Sequence, residues 1–124
     1  MRQLAVAAVI MLALDSMYLG ATRSFWGNII KTIQDQKLHV RYLAAAGVYL
    51  MLLLGLDLFV LKNGANPLDG LLLGIVIYGV YEATTYAIFK KWPLNLVIID
   101  TLWGGTLFYM TTVITYYLKK KFKI

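Results

Sequence analysis

The sequence predicts an all-α protein: a bundle of four transmembrane helices with a short amphipathic interfacial helix between helices one and two. The 124-residue chain is 60% hydrophobic and has a mean hydropathy of +0.70, whereas a soluble domain is only about half apolar. The apolar residues form four long segments, each near the ~20 residues that a helix needs to cross a bilayer. None of them alternates as a half-buried strand would, and a helix satisfies its own backbone hydrogen bonds in lipid.

The four segments are expected to form a single integral membrane domain, residues 1–124, with spans at about 4–21, 42–61, 68–89 and 94–118. Pro67 and Pro93 stand where the third and fourth spans begin, and proline suits the first turn of a helix. The connections before these spans are short, so the last three helices should be antiparallel neighbours. Gly70-x-x-x-Gly74 in the third span is a small-residue pattern that allows close helix packing.

The connection between the first two spans is long and patterned. Large apolar residues recur in it at helical spacing, with polar residues between them: Phe25, Trp26, Ile29, Ile30 and Ile33. This pattern predicts an amphipathic helix that lies in the membrane interface. A short cap over the mouth of the bundle is an alternative, and the two interpretations are compatible.

The basic residues lie at the ends of the segments, which is where bases flank membrane spans. Four spans would place both termini on one side, here named side A, with side B opposite. The two sides carry equal numbers of Lys and Arg, so charge assigns no orientation. The C-terminal cluster is a candidate lipid-headgroup site, with a plain stop signal for the last helix as the alternative: Lys119, Lys120, Lys121 and Lys123.

Acidic residues also lie within the apolar segments: Asp15, Asp57, Glu82 and Asp100. A carboxyl group in a span is costly in lipid, so it usually faces a bundle interior or a wet cavity. At 1.5 Å rise per residue, Asp15, Glu82 and Asp100 lie roughly 7, 10 and 9 Å from the side-B ends of their helices. These three acids should therefore share one polar layer, whereas Asp57 lies close to side A.

The candidate proton or ligand site consists of these three acids, of polar or aromatic residues that share their helix faces, and of an aromatic residue on one face of the second span: Tyr18, Tyr78, Thr85, Tyr86, Trp103 and Tyr49. Burial and like-charge repulsion both favour the neutral form of a carboxyl group. We therefore expect at least one of the acids to be protonated at pH 7, or a cation or basic ligand to lie among them. The alternative is a set of neutral carboxyls that bond to Tyr and Thr and hold the bundle in register.

Other chemistry has little support in the sequence. There is no cysteine and only one histidine, His39, so no cluster has the spacing of metal ligands. The only serines are Ser16 and Ser24, and no Ser-His-Asp set is within plausible reach. We expect no cofactor, no metal and no catalytic residues, and we expect the protein not to be an enzyme.

Four stretches carry the motifs of a known family. Residues 14–20 fit L-D-x-x-W/Y-L-G, residues 44–49 fit an Ala-Ala stretch followed by an aromatic residue, residues 81–87 fit Y-D-L-T-N-x-A, and residues 92–104 fit W-P-L-x-L…D-x-x-W-G. Over nearly its whole length the chain resembles the small membrane proteins catalogued as domain of unknown function 2177. Glu82 stands for the family's usual Asp and Thr85 for its usual Asn. The resemblance implies a four-helix membrane fold in a bacterial inner membrane, or in a viral or host internal membrane, and implies no particular activity.

Three functions remain open from the sequence, of which a membrane enzyme that uses Asp15, Glu82 or Asp100 as acid or base has the least support. The first is a structural or interaction component of a membrane, viral membranes included, with membrane lipids and a homo-oligomer or another membrane protein as partners, and no nucleic acid. The alternative is a proton- or cation-coupled small-solute carrier, or a ligand-binding membrane protein, that uses the carboxyl layer. Four helices enclose little space, so a carrier would need a dimer.

Overall fold

The computed structural model describes residues 2–36 and 40–123, so His39 lies outside the described residues. The helices are α1 (Arg2–Ala21), α2 (Arg23–Gln34), α3 (Tyr42–Leu56), α4 (Pro67–Ile88) and α5 (Leu94–Phe122), and α3 continues as a π-helical turn, Asp57–Leu61. The described part of the chain contains no strand.

Four of these helices are long and apolar enough to cross a membrane: α1, α3 with its π-helical turn, α4 and α5. Their outer faces carry many exposed apolar side chains, such as Met17, Leu43 and Phe59. Contiguous apolar surface of this extent is unusual for a soluble monomer. The fold class predicted from hydropathy is therefore confirmed for the four spanning helices.

Helix α5 is the central helix of the bundle. It holds more buried residues than any other described helix and packs against both α1 and α4. Leu107 and Phe108 of α5 form the apolar core with Met11 of α1 and with Leu56 and Val60 from the α3 region. It is also longer than the predicted 94–118, because Lys119–Lys121 continue the helix to Phe122 and lysine is a good helix former.

Glycines allow α4 and α5 to approach closely. A Cβ atom added to Gly74 would lie 2.2 Å from the carbonyl oxygen of Gly104, and one added to Gly105 would lie 2.6 Å from Cγ1 of Ile75. At Gly70 an added Cβ would lie 2.8 Å from Oγ1 of Thr112. The Gly70-x-x-x-Gly74 pattern therefore lies in the contact between these helices, where small residues bring backbones together.

The turn between α3 and α4 is fixed to the end of α5. Asn66 caps α4, with its side-chain oxygen accepting from the backbone N–H of Leu68 at 2.9 Å, and Pro67 opens the helix. The hydroxyl of Tyr116 on α5 donates to the carbonyl oxygen of Ala65 at 2.8 Å. These bonds satisfy backbone groups that a turn would otherwise leave unpaired.

Helix α2 occupies the amphipathic stretch that the sequence indicated. Its apolar residues Phe25, Ile29 and Ile33 are half-buried, and none of its residues is fully buried. The ring of Trp26 meets that of Trp92 edge-on, with centroids 6.1 Å apart. This contact attaches α2 to the side-B end of the bundle, while its placement in a membrane interface stays a prediction.

Candidate functional site

The three acids predicted to share a layer are all buried. Asp15 on α1 and Asp100 on α5 are each 6% exposed, and Glu82 on α4 is fully buried. Each lies in the side-B half of its helix. Polar atoms buried at this depth need partners, and those partners define the site.

Asp15 is held by residues of two other helices. Its Oδ1 accepts a hydrogen bond from Nε1 of Trp103 on α5 at 2.9 Å, and its Oδ2 accepts one from the hydroxyl of Tyr49 on α3. Asp15 therefore joins α1, α3 and α5 at one point.

Asp100 has a matching arrangement with α1. The hydroxyl of Tyr18 donates to its Oδ1 at 3.1 Å. The rings of Tyr18 and Trp103 stack, with centroids 4.6 Å apart and planes 4° from parallel. Each helix thus supplies an acid and, three residues later, an aromatic donor that bonds to the acid of the other helix. This reciprocal pairing fixes the register of α1 against α5.

Glu82 is bound differently. Its Oε1 accepts from Nε1 of Trp92 at 2.9 Å, but Oε2 receives no hydrogen bond from any hydroxyl or N–H group in residues 2–36 and 40–123. The neighbouring group on the closely packed helix α5 is the carboxyl of Asp100. Two carboxyl groups can form a hydrogen bond only when one of them carries a proton.

The remaining predicted site residues divide into two sets. Tyr78 is half-buried, and its ring lies against Gly104 and edge-on to Phe108, 6.5 Å between centroids. Thr85 instead donates to the carbonyl oxygen of Tyr81 on its own helix at 2.7 Å. Tyr86 is 46% exposed and points away from the bundle. The structure therefore bonds Tyr18, Tyr49 and Trp103 to the acids and places Tyr78 in the same pocket as Asp100, but it does not bring Thr85 or Tyr86 to them.

Sequence analysis missed Trp92 as a site residue. A Trp beside a span end is typical of an interface anchor, yet Trp92 is 5% exposed and donates to Glu82. The tight turn between α4 and α5 could have indicated this role from the sequence, because it folds residue 92 back toward the end of α4. Within the described ranges this indole is the only N–H or O–H donor to Glu82.

Positive charge is separated from the acids. Every Lys and Arg that the structure describes is exposed, so none of these side chains neutralises the layer. No group of three or more Asp, Glu or His side chains among residues 2–36 and 40–123 is arranged to hold a metal ion. The acids therefore form a pair, Glu82 with Asp100, and a third carboxyl, Asp15, linked to Asp100 through the Tyr18–Trp103 stack.

The C-terminal lysines lie at the opposite end of the molecule. Lys119, Lys120 and Lys123 line a pocket of about 630 Å³ with Tyr116 and Gly64. Lys121 lies elsewhere, with its Nζ 5.8 Å from the ring centre of Tyr117 and 5.7 Å from that of Phe122. Three of the four predicted headgroup-binding lysines thus share one concave surface, and lipid binding there stays a prediction.

The comparison with protein families agrees with this architecture. Residues 1–117 match the model of the family described as "Predicted membrane protein (DUF2177)". The chain belongs to this family. The resemblance carried by the four motifs is confirmed, and with the four spanning helices it shows a multi-pass integral membrane protein. Searches of curated proteins and of solved structures found no match.

Proposed function

We infer that the protein is a ligand-binding membrane protein whose carboxyl pair, Glu82 with Asp100, binds a single positive charge. That charge is a proton when no ligand is present and the charged group of a small organic cation when one is bound. The observation that carries this proposal is the pair itself: two neighbouring buried acids, with one oxygen of Glu82 lacking any N–H or O–H donor in the described residues. Acids within a span usually mark an ion, proton or substrate pathway.

The surroundings of the pair favour an exchangeable charge over a fixed one. No described base lies among the acids, so a salt bridge does not fill this role. A compact metal site has no support among residues 2–36 and 40–123. A proton or an organic ammonium group needs only one or two carboxyl oxygens, which matches a pair.

The competing proposal is a purely structural layer. The reciprocal bonds of Asp15 and Asp100 with Trp103 and Tyr18 are what such a layer would use to hold helices together. The two proposals differ at Glu82, since a structural carboxyl can be replaced by an amide of the same shape and a proton-binding one cannot.

The test is the pH dependence of thermal unfolding, measured on purified protein with and without Glu82→Gln. In the wild type we expect the melting temperature to fall as pH rises from about 5 to 8. Loss of the shared proton leaves two neighbouring charges away from water, which is unfavourable. At the higher pH, ammonium chloride should raise the melting temperature above that in sodium chloride at equal ionic strength. Glu82→Gln should flatten both responses.

Asp57→Asn is the matched control. Asp57 is a half-buried acid in the π-helical turn, at the opposite end of α3 from the pair. This variant should keep the wild-type dependence on pH and ammonium. A wild-type melting temperature that ignores both conditions would leave only the structural role.

A further inference from the structure

A groove between α3 and α4 leads from the outer surface to Asp100, one member of the carboxyl pair. It has a volume of about 670 Å³, and its lining includes Ala44, Gly47 and Met51 of α3, Tyr81 of α4 and Asp100 of α5. Met51 is 70% exposed and Tyr81 is 56% exposed, so the groove opens on the apolar outer face of the bundle. In a membrane that face is in contact with lipid chains.

The groove lies beside a stretch of α3 that leaves open space toward side B. Near side A the helices touch, since a Cβ atom added to Gly55 would lie 3.9 Å from Cδ1 of Ile77. Two turns closer to side B, a Cβ added to Gly47 would meet nothing within 4 Å. Two small residues near the start of α3, Ala44 and Gly47, line this space.

The chemistry of the lining identifies the kind of occupant. Among the described residues, Asp100 is the only charged one that lines the groove, and the walls are otherwise apolar or aromatic. An acid at the inner end of an apolar groove complements a ligand with one positive charge and an apolar tail. The rings of Tyr78 and Tyr81 also line the groove, and aromatic faces attract ammonium groups.

The size of the groove favours an organic ligand over a bare ion. Sites for small organic molecules span roughly 300–1,000 Å³ and are mostly apolar with a few placed polar groups. A ligand that arrives through lipid must itself partition into lipid, which an apolar tail ensures.

We propose that the groove between α3 and α4 admits an amphipathic amine from the bilayer, with its ammonium group against Asp100 and its apolar tail between the two helices. This proposal rests on the proposed function and adds the ligand class and its route. Because the groove opens sideways, the ligand need not pass through either aqueous end of the bundle.

The test is amine binding to the protein in lipid nanodiscs, followed by the shift in melting temperature and by tryptophan fluorescence. The probe is decylamine at pH 7, compared with decanol, which has the same tail without the charge, and with ethylamine, which has the charge without the tail. We expect decylamine to stabilise the protein at concentrations at which decanol and ethylamine have little effect. Asp100→Asn should abolish the decylamine effect.

A pair of alanine variants keeps the test informative if Asp100→Asn does not fold. Ala44 lines the groove, whereas Ala46 is exposed on the same helix and does not. Ala44→Leu should weaken the apparent affinity for decylamine by about tenfold or more, equivalent to about 1.4 kcal/mol. Ala46→Leu should leave it unchanged.

Several outcomes would overturn the proposal. Equal shifts from decanol and decylamine would indicate a site for lipid chains without charge selection. An equal loss of decylamine affinity in Ala44→Leu and Ala46→Leu would show that binding occurs outside the groove. A change of oligomeric state in Ala44→Leu alone would indicate a second copy of the chain as the occupant. If the melting temperature responds to pH and to ammonium through Glu82 but decylamine does not bind, the proposed function stands and the groove proposal fails.

Discussion

Aromatic side chains make the hydrogen bonds that hold the buried acids. The donors to Asp15, Glu82 and Asp100 are Trp103, Tyr49, Trp92 and Tyr18. A Tyr or Trp buries a large apolar ring and still offers one polar donor. Such a residue can reach a carboxyl group from another helix without adding a second charge to the membrane interior. This explains how acids persist in the bundle with no described base beside them.

Trp103→Phe should therefore destabilise the protein. The change keeps a ring that can stack on Tyr18 but removes the N–H that donates to Asp15. A buried acceptor that loses its donor costs about 1–3 kcal/mol. We expect the free energy of unfolding to fall by that amount, as measured by denaturant unfolding in detergent micelles.

Trp26→Phe is the control for the Trp103 prediction. Trp26 is also half-buried, but among residues 2–36 and 40–123 its indole N–H donates to no carboxyl group. The Trp26→Phe variant should therefore lose much less stability than Trp103→Phe. Equal losses would mean that ring size, rather than the bond to Asp15, determines the effect.

The residue scale is also where sequence and structure differ most. The pairs Asp15 with Tyr18 and Asp100 with Trp103 are readable from their three-residue spacing, which places both members on one helix face. Tyr86 has comparable spacing from Glu82 yet is exposed, because α4 has no buried residue beyond Glu82. Spacing identifies a face but not where a neighbouring helix stops covering it.

At the scale of elements, the contact between α4 and α5 is the closest in the bundle. Four glycines contribute to it: Gly70, Gly74, Gly104 and Gly105. Without a hydrophobic driving force between helices in lipid, close van der Waals packing of this kind is what associates them. The same contact places Glu82 of α4 beside Asp100 of α5, so the carboxyl pair depends on it.

Gly74→Ala should separate these helices. The added methyl group would lie 2.2 Å from a backbone oxygen, which cannot move aside as a flexible side chain could. Overpacking of this kind costs about 1–3 kcal/mol and sometimes more. We expect a lower melting temperature, together with a change in the fluorescence of Trp92, whose partner Glu82 lies on the displaced helix.

Gly79→Ala on the same helix provides the comparison. Its added Cβ would lie 3.5 Å from Cγ2 of Thr101, an ordinary contact. Alanine favours helix over glycine by about 0.5–1 kcal/mol, so this variant should be as stable as the wild type or more so. If both variants lose the same stability, close packing at Gly74 is not the cause.

At the scale of the whole molecule, hydropathy alone predicted the spanning helices. Lipid removes most alternatives to a helix, so a run of about 20 apolar residues has one structural solution.

The order in which the helices pack against each other could not be predicted from hydropathy. Helix α5 is central because its small and polar residues Gly104, Thr111 and Thr115 are buried, and mean hydropathy does not distinguish such a face from one that contacts lipid. The groove was also not predictable, because hydropathy does not show how closely α3 and α4 pack against each other.

The predicted topology can be tested by cysteine labelling, with no background from native cysteines. The chain has no cysteine, so single cysteines can be introduced at exposed positions: Lys62 in the turn after α3, Lys123 at the end of α5, and Lys91 in the turn before α5. With four spanning helices, Lys62→Cys and Lys123→Cys lie on the same side and Lys91→Cys lies on the other. In sealed vesicles of one orientation, a membrane-impermeant maleimide should either label Lys62→Cys and Lys123→Cys but not Lys91→Cys, or label Lys91→Cys alone. The same pattern at all three positions would contradict the spanning of α4 and α5, and opposite patterns at Lys62 and Lys123 would contradict an even number of crossings between them.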